Sequence, residues 1–178
     1  MPNAILNILR LTNRHWLLLA LATSAAMLAI AHGFETFGHM APCTLCLRQR
    51  EVYWIALVVA GSGVIVSHVP RLERFTRLFG AALALIFLVG MATAVYHAGA
   101  EWKWWPGPTT CASTGGGVSA AALASLLHGA KVSAPHCDEA AWRFLGLSMA
   151  GWNVLISLKL AVYSVIFALA PAWTRADD

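Results

Sequence analysis

Charged side chains are scarce in this sequence. Lys, Arg, Asp and Glu together make up 11% of its 178 residues, against about 25% in a typical soluble domain. Hydrophobic residues reach 59%, above the usual share of roughly 45–50%. Too few charges remain to cover the surface of an ordinary soluble globule. The same figures exclude a disordered chain, which would be rich in charge and poor in apolar residues. Cysteine is limited to four residues, and no long apolar stretch contains one. The basic residues form no stripe, so the net charge of +4 is not a nucleic-acid footprint. What dominates is apolar length: the mean hydropathy is +0.67, and the expectation is an all-α protein embedded in a lipid bilayer.

Crossing about 30 Å of hydrocarbon takes about 20 apolar residues in a helix. Four stretches approach that length, at about 16–33, 52–69, 78–96 and 151–170. They predict a four-helix transmembrane bundle forming one domain over residues 1–178, with loops at about 34–51 and 97–150 on one side. The first span reads as a retained signal anchor, because it has no clear small-residue cleavage site and leads straight into further spans. Orientation follows Lys and Arg near the span ends. Arg10, Arg14, Arg71, Arg74, Arg77 and Arg175 lie on the side of the termini; Arg48, Arg50, Lys103, Lys131 and Arg143 lie on the other. The second set is spread over two longer loops. The density of charge therefore places both termini in the cytoplasm and the two loops outside.

The cysteines fit that orientation. Cys43 and Cys46 fall in the first outer loop, Cys111 and Cys137 in the second. Disulfides persist outside the cytosol. Four cysteines allow three connectivities, and sequence does not choose among them; Cys43–Cys46 with Cys111–Cys137 is the economical one. In the second loop Gly115, Gly116 and Gly117 form a hinge. Beyond it Leu123, Leu126, Leu127 and Ala130 mark one face of a short helix expected in the membrane interface. Trp102, Trp104 and Trp105, with Pro106 and Pro108, read as an interfacial belt. Pairs of small residues four apart (Ala56 and Ala60, Gly80 and Ala84, Gly90 and Ala94) are expected at helix–helix contacts.

The richest segment is Ala41-Pro42-Cys43-Thr44-Leu45-Cys46-Leu47-Arg48-Gln49-Arg50. Two cysteines separated by two residues can close a small ring, and strained rings of this kind are oxidising. Cys46 lies near a helix start, where partial positive charge favours thiolate. If the helix has begun by then, Arg50 is its i+4 neighbour and could donate hydrogen bonds to an acceptor oxygen. A structural disulfide would leave that arginine unexplained. A four-cysteine zinc site has no tight spacing at Cys111 and Cys137, so no metal is expected. A c-type haem would need His at position 47, where Leu47 stands.

These residues carry a resemblance. Pro42-Cys43-Thr44-Leu45-Cys46 with Gln49-Arg50 and Tyr53-Trp54 resembles the disulfide bond formation protein B (DsbB) family of quinone-linked membrane oxidases. The likeness continues through Tyr96-His97, Trp105-Pro106-Gly107-Pro108 and Cys111, then Cys137-Asp138-Glu139 and Trp142-Arg143-Phe144-Leu145-Gly146-Leu147-Ser148-Met149. It implies a relay in the bacterial inner membrane. The long-loop pair would reoxidise a periplasmic DsbA-like thioredoxin-fold oxidase. Electrons would pass to Cys43 and Cys46 and on to ubiquinone or menaquinone. By motif, Cys111 would form the mixed disulfide with the partner and Cys137 would be its mate. Cys46 would face the quinone and Cys43 would exchange with the loop pair. Arg50 matches the quinone-site arginine and His97 a histidine near the quinone. A monomer is the simplest expectation. The contrasting readings are a reducing thiol transporter, which would need cysteines in the spans, and a non-catalytic bundle stapled by two disulfides.

Other residues carry weaker signals. Lys159 lies near the middle of span four and is expected to pair with Asn153 or Ser62, or to snorkel. His32 and His39 read as interfacial, Arg48 as generic interfacial charge. Glu35 is placed as a partner for Arg48.

Overall fold

The computed structural model describes residues 12–13, 15–107 and 137–169. Four long helices dominate: α1 (Trp16–Thr36), α2 (Thr44–Ser67), α3 (Thr76–Glu101) and α4 (Met149–Leu169). Each is long and apolar enough to cross a membrane, as the all-α expectation required. Their outward faces are apolar: Val58, Ile65, Leu78, Leu85 and Leu155 are all exposed. Such surfaces are stable in hydrocarbon, where the helix satisfies its own backbone hydrogen bonds.

Neighbours in sequence are neighbours in space. α1 packs on α2, α2 on α3, and α3 most extensively on α4. The core holds Tyr53, Ala56, Ala60, Leu83, Phe87 and Leu160. The small residues singled out from the sequence all face inward. A Cβ on Gly80 would lie 2.5 Å from Cδ1 of Phe167, so only glycine lets α3 and α4 approach this closely. Trp16 closes the bundle by donating Nε1–H to Ser164 Oγ at 3.2 Å.

Each helix runs past the span drawn from hydropathy at one end or both, and two of the extensions matter. α2 begins at Thr44, eight residues before the apolar run, and so takes in Leu45 and Cys46. α3 runs on to Glu101 and takes in His97. Its end is set by Lys103, which has a φ of 60°. The Lys103 N–H bonds to Ala100 O and the Trp104 N–H to Gly99 O, a Schellman closure with lysine where glycine is usual. Gly99 is required for a separate steric reason, since a Cβ there would meet the Trp105 ring at 2.0 Å. Trp105 folds back on α3, donating Nε1–H to Tyr96 O at 2.8 Å and stacking on the Tyr96 ring.

The approach to α4 carries a hairpin within the second outer loop. Arg143–Phe144 and Leu147–Ser148 form a two-stranded antiparallel hairpin. Its two-residue turn, Leu145-Gly146, has positive φ at both positions, the combination that matches strand twist. Ser148 then accepts the Gly151 N–H at 3.1 Å and caps α4. The short interfacial helix expected near Leu123–Ala130, the Gly115–Gly117 hinge and Cys111 lie outside the described residues.

Candidate functional site

The site is built at the head of α2. Pro42 holds the residue before it extended, and Cys43 continues in extended backbone with φ −78° and ψ 171°. The helix starts immediately after. Cys43 is its N-cap, and the Cys43 Sγ accepts the Cys46 N–H at 3.3 Å. A sulfur here takes the role usually filled by a Ser, Thr or Asp oxygen.

Cys43 and Cys46 are free thiols. Their sulfurs share a hydrogen bond at 2.9 Å, so closure to a disulfide needs only a small movement. The Cys43 thiol is held well below its ordinary value, at about 4. The largest cause is the hydrogen bond from Cys46. Burial opposes it, and His97 and the Cys46 N–H add to it. The expected thiolate position near the helix start is thus occupied most directly by Cys43, with Cys46 as its donor.

His97 comes from the last turn of α3 and is buried. Its Nε2 lies 3.7 Å from Cys43 Sγ and 3.8 Å from a Glu101 carboxylate oxygen. Its Nδ1 is bonded to the Gln49 amide nitrogen at 2.9 Å. Cys137, the site residue from the second loop, is buried and disulfide-bonded. Its Sγ lies 3.6 Å from Thr44 Oγ1, and it packs with Cys43, Leu45 and Cys46. Lys103 and Asp138 pair at 2.6 Å, tying the residue after Cys137 to the end of α3. The fourth cysteine named from sequence, Cys111, lies outside the described residues.

Arg50 is one turn beyond Cys46 and largely buried. It is ion-paired with Glu35, and its Nη2 donates to Ala31 O at 3.1 Å. This corrects the sequence-based pairing: Arg48 bonds instead to Glu51 at 3.0 Å, on the exposed surface. Their position on α2 explains the exchange, since Arg48 points outward while Arg50 faces α1. The last turns of α1 also carry a groove of about 370 Å³ lined by Ile30, Gly33, Phe34, Phe37 and Gly38. Its lining is almost wholly apolar. Phe34 is also packed against Trp142 of the second loop.

Lys159 is exposed on α4 and makes no pair with Asn153 or Ser62. Ser62 bonds its own backbone at Val58 O. Asn153 belongs to a buried network that sequence reading missed: Tyr53 and Ser157 bond to its Oδ1, and its Nδ2 donates to Gln49 Oε1. Glu101 was also missed; it accepts a hydrogen bond from Ser148 Oγ. A signal existed. Gln49 and Tyr53, His97 and Glu101, and Asn153 and Ser157 are polar pairs at i, i+4 on three apolar helices, a spacing that puts each pair on one face.

The same residues bear on metal binding. The Cys43 and Cys46 sulfurs and a His97 ring nitrogen lie within 4.8 Å of one another. This donor set would suit a thiophilic ion. Two thiolates on one zinc, each about 2.3 Å from it in tetrahedral geometry, must stand farther apart than the 2.9 Å seen here. The geometry favours closure to a disulfide over shared ligation.

Comparison with known proteins agrees with this chemistry. The family model "Disulfide bond formation protein DsbB" matches residues 13–167. Disulfide bond formation protein B of Azoarcus sp. (strain BH72) is 33% identical over 152 residues, covering 80% of this chain and 85% of the relative. The protein of the same name from Methylococcus capsulatus is 29% identical over 154 residues, covering 84% and 90%. That from Dechloromonas aromatica is 26% identical over 147 residues, covering 79% and 82%. With four membrane-length helices and a dithiol at the head of one of them, the chain belongs to the DsbB family of membrane disulfide-forming oxidoreductases.

Proposed function

We propose that the protein reoxidises a periplasmic DsbA-like thioredoxin-fold oxidase and passes the electrons to membrane quinone. In this reading it lies in the bacterial inner membrane with both termini cytoplasmic and the cysteine loops periplasmic. The observation that carries it is the seating of Cys137 against Thr44, between the two cysteines of the Cys43–Cys46 pair. A Cys137 thiolate released there is within a short movement of the Cys43–Cys46 disulfide that it would attack.

The order of events follows the chemistry of exchange, in which a thiolate attacks a disulfide sulfur and a thiolate leaves. The reduced partner attacks Cys111 and displaces Cys137 as the leaving thiolate. Cys137 attacks Cys43 of the oxidised Cys43–Cys46 pair and displaces Cys46. The second partner thiol then releases oxidised partner and returns Cys111 as a thiol, which attacks Cys137 and frees Cys43. The loop disulfide is restored and Cys43 and Cys46 are left reduced. A quinone held beside Cys46 would supply the acceptor for the two electrons and two protons of the dithiol. Cys46 would face that acceptor, and Cys43 would close on the Cys46 sulfur to reform the disulfide.

The residues near Arg50 suit such an acceptor. A quinone has an apolar ring and tail with two oxygens that accept hydrogen bonds. The groove at Ile30, Phe34 and Phe37 offers apolar walls, and Phe37 is 85% exposed, open to lipid. Arg50 carries five N–H donors, more than Glu35 and Ala31 consume, and His97 stands on the other side of the dithiol. Ubiquinone and menaquinone share these features, and turnover with each separates them.

The test is anaerobic turnover. Purified protein is mixed with a reduced thioredoxin-fold partner and a soluble ubiquinone or menaquinone analogue, and quinone absorbance is followed. Quinone loss that requires all four cysteines is the expected result. No loss with either quinone class and several partners would overturn the relay and leave a stapled bundle.

A further inference from the structure

Behind the dithiol a single file of hydrogen bonds runs into the bundle, and its direction has a chemical consequence. Tyr53 OH and Ser157 Oγ both bond to Asn153 Oδ1. With its oxygen so occupied, Asn153 turns Nδ2 toward Gln49 and donates to Oε1. Gln49 must then present its NH₂ to His97, where it meets Nδ1 at 2.9 Å. A ring nitrogen that accepts a hydrogen bond carries no proton, so a neutral His97 has its proton on Nε2. That N–H faces Cys43 Sγ at 3.7 Å and the Glu101 carboxylate at 3.8 Å.

The reverse direction is also conceivable, since both hydroxyls can accept. It would put the His97 proton on Nδ1 and leave the bare Nε2 lone pair facing a carboxylate. Glu101 decides against it. Ser148, at the head of α4, donates to the other Glu101 oxygen and fixes the carboxylate in place. The Glu101 end therefore selects the direction, and the file from Asn153 through Gln49 holds His97 in it. Every member is buried, where a polar group left unpaired is costly.

We propose that Gln49 and Asn153 are positioning residues that hold His97 as the Nε2–H tautomer, with that N–H directed at Cys43 Sγ. The inference rests on the relay proposed above and adds to it a second donor to Cys43, after Cys46, with a fixed direction. The groups that face Cys43 and His97 are few among the described residues. Cys46 approaches from α2, Glu101 from α3 and the disulfide-bonded Cys137 from the second loop; α4 contributes only Asn153, through Gln49, and Ser148, through Glu101. Arg50 is engaged by Glu35.

The test reads the tautomer directly. Full-length protein with ¹⁵N-labelled histidine is placed in lipid nanodiscs, free of quinone and partner. The His97 signals are assigned by their loss in His97→Ala. We expect the neutral ring to show a protonated Nε2 and an unprotonated Nδ1. The Tyr53→Phe/Ser157→Ala double variant removes both hydroxyls with little change of shape, and Asn153→Leu removes the link itself. Both should release His97 into a mixture of tautomers. In a Cys46→Ser background, where the serine hydroxyl still donates to Cys43, both should raise the pH midpoint of Cys43 alkylation by about one unit. A proton on Nδ1 in the unaltered protein overturns the proposal, whatever the variants do. So does an unchanged tautomer and midpoint in a folded variant. Because no quinone or partner is present, failure of the turnover assay with the tautomer retained counts against the relay alone.

Discussion

Cys137 Sγ lies 3.6 Å from Thr44 Oγ1, although 92 residues separate the two positions along the chain. The loop cysteine is therefore seated on the first turn of α2, among Cys43, Leu45 and Cys46. That seat determines which sulfurs can meet. In a Cys46→Ser/Cys111→Ser protein, Cys43 and Cys137 are the remaining thiols. Mild oxidation should join them within one molecule, with the cross-linked peptide seen by mass spectrometry. Recovery of both as separate free thiols would show that the seat is not used for exchange.

The depressed Cys43 value sets a pH profile. Its thiol in the folded protein lies at about 4, below the ordinary 9.0. The thiolate is thus the folded-state form at neutral pH, and alkylation of Cys43 in the unaltered reduced protein, located by peptide mass spectrometry, should be nearly flat from pH 8 to 5. It should fall as pH drops through about 4. The stability linkage has the same sign. The contribution is fully present above the unfolded value and is lost progressively as pH falls through the folded one. The hydrogen bond from Cys46 is the largest cause, so Cys46→Ala should move the alkylation midpoint upward, while Cys46→Ser moves it less. Equal midpoints in the two variants would remove Cys46 from the explanation.

Arg50 joins α1 to α2 through Glu35 and Ala31 O. Arg50→Met leaves a partly buried carboxylate without its partner and removes the guanidinium donors one turn from Cys46. We expect KM for a quinone analogue to rise by about tenfold or more, and thermal stability to fall by about 1–3 kcal/mol. Arg48→Met removes only an exposed pair with Glu51 and should change stability by under about 1 kcal/mol. Similar KM values for the two variants would contradict the assignment of Arg50 to the quinone site.

Gly99 and Gly80 test the packing that frames the site. The Trp105 ring occupies the space of a Gly99 side chain, and Phe167 that of Gly80. Gly99→Ala should expel Trp105 from its stack on Tyr96, seen as altered tryptophan fluorescence. Gly80→Ala should lower the midpoint of thermal unfolding, with a cost of about 1–3 kcal/mol. An unchanged Trp105 environment in Gly99→Ala would mean that the ring does not rest there.

Lys159 faces outward near the middle of α4 and has no partner among the described residues. A lysine at mid-span costs about 2.5–3.5 kcal/mol on insertion scales, reduced when its long chain snorkels. Lys159→Leu should insert at least as well and leave turnover intact. A large loss of activity in a well-inserted Lys159→Leu protein would point to a role this geometry does not provide.

Much of this molecule was legible along the chain. Four spans follow from the length of apolar runs, because hydrocarbon imposes that length on any helix that crosses it. The Cys43–Cys46 pair is close for the same local reason: two intervening residues at a helix start keep its sulfurs near one another. Family membership rests on blocks of consecutive residues, which sequence displays in full. The helix ends at Cys43 and Lys103 were hidden because a sulfur cap and a lysine in left-handed backbone are unusual versions of familiar signals. Nothing in the order of residues chose Glu35 over Glu51 for Arg50, or joined Tyr53, Asn153, Gln49 and His97 into one file. Partners from different helices are selected by which faces the packed bundle turns inward. Once those faces exclude water, each buried polar group is left with the few neighbours the packing supplies.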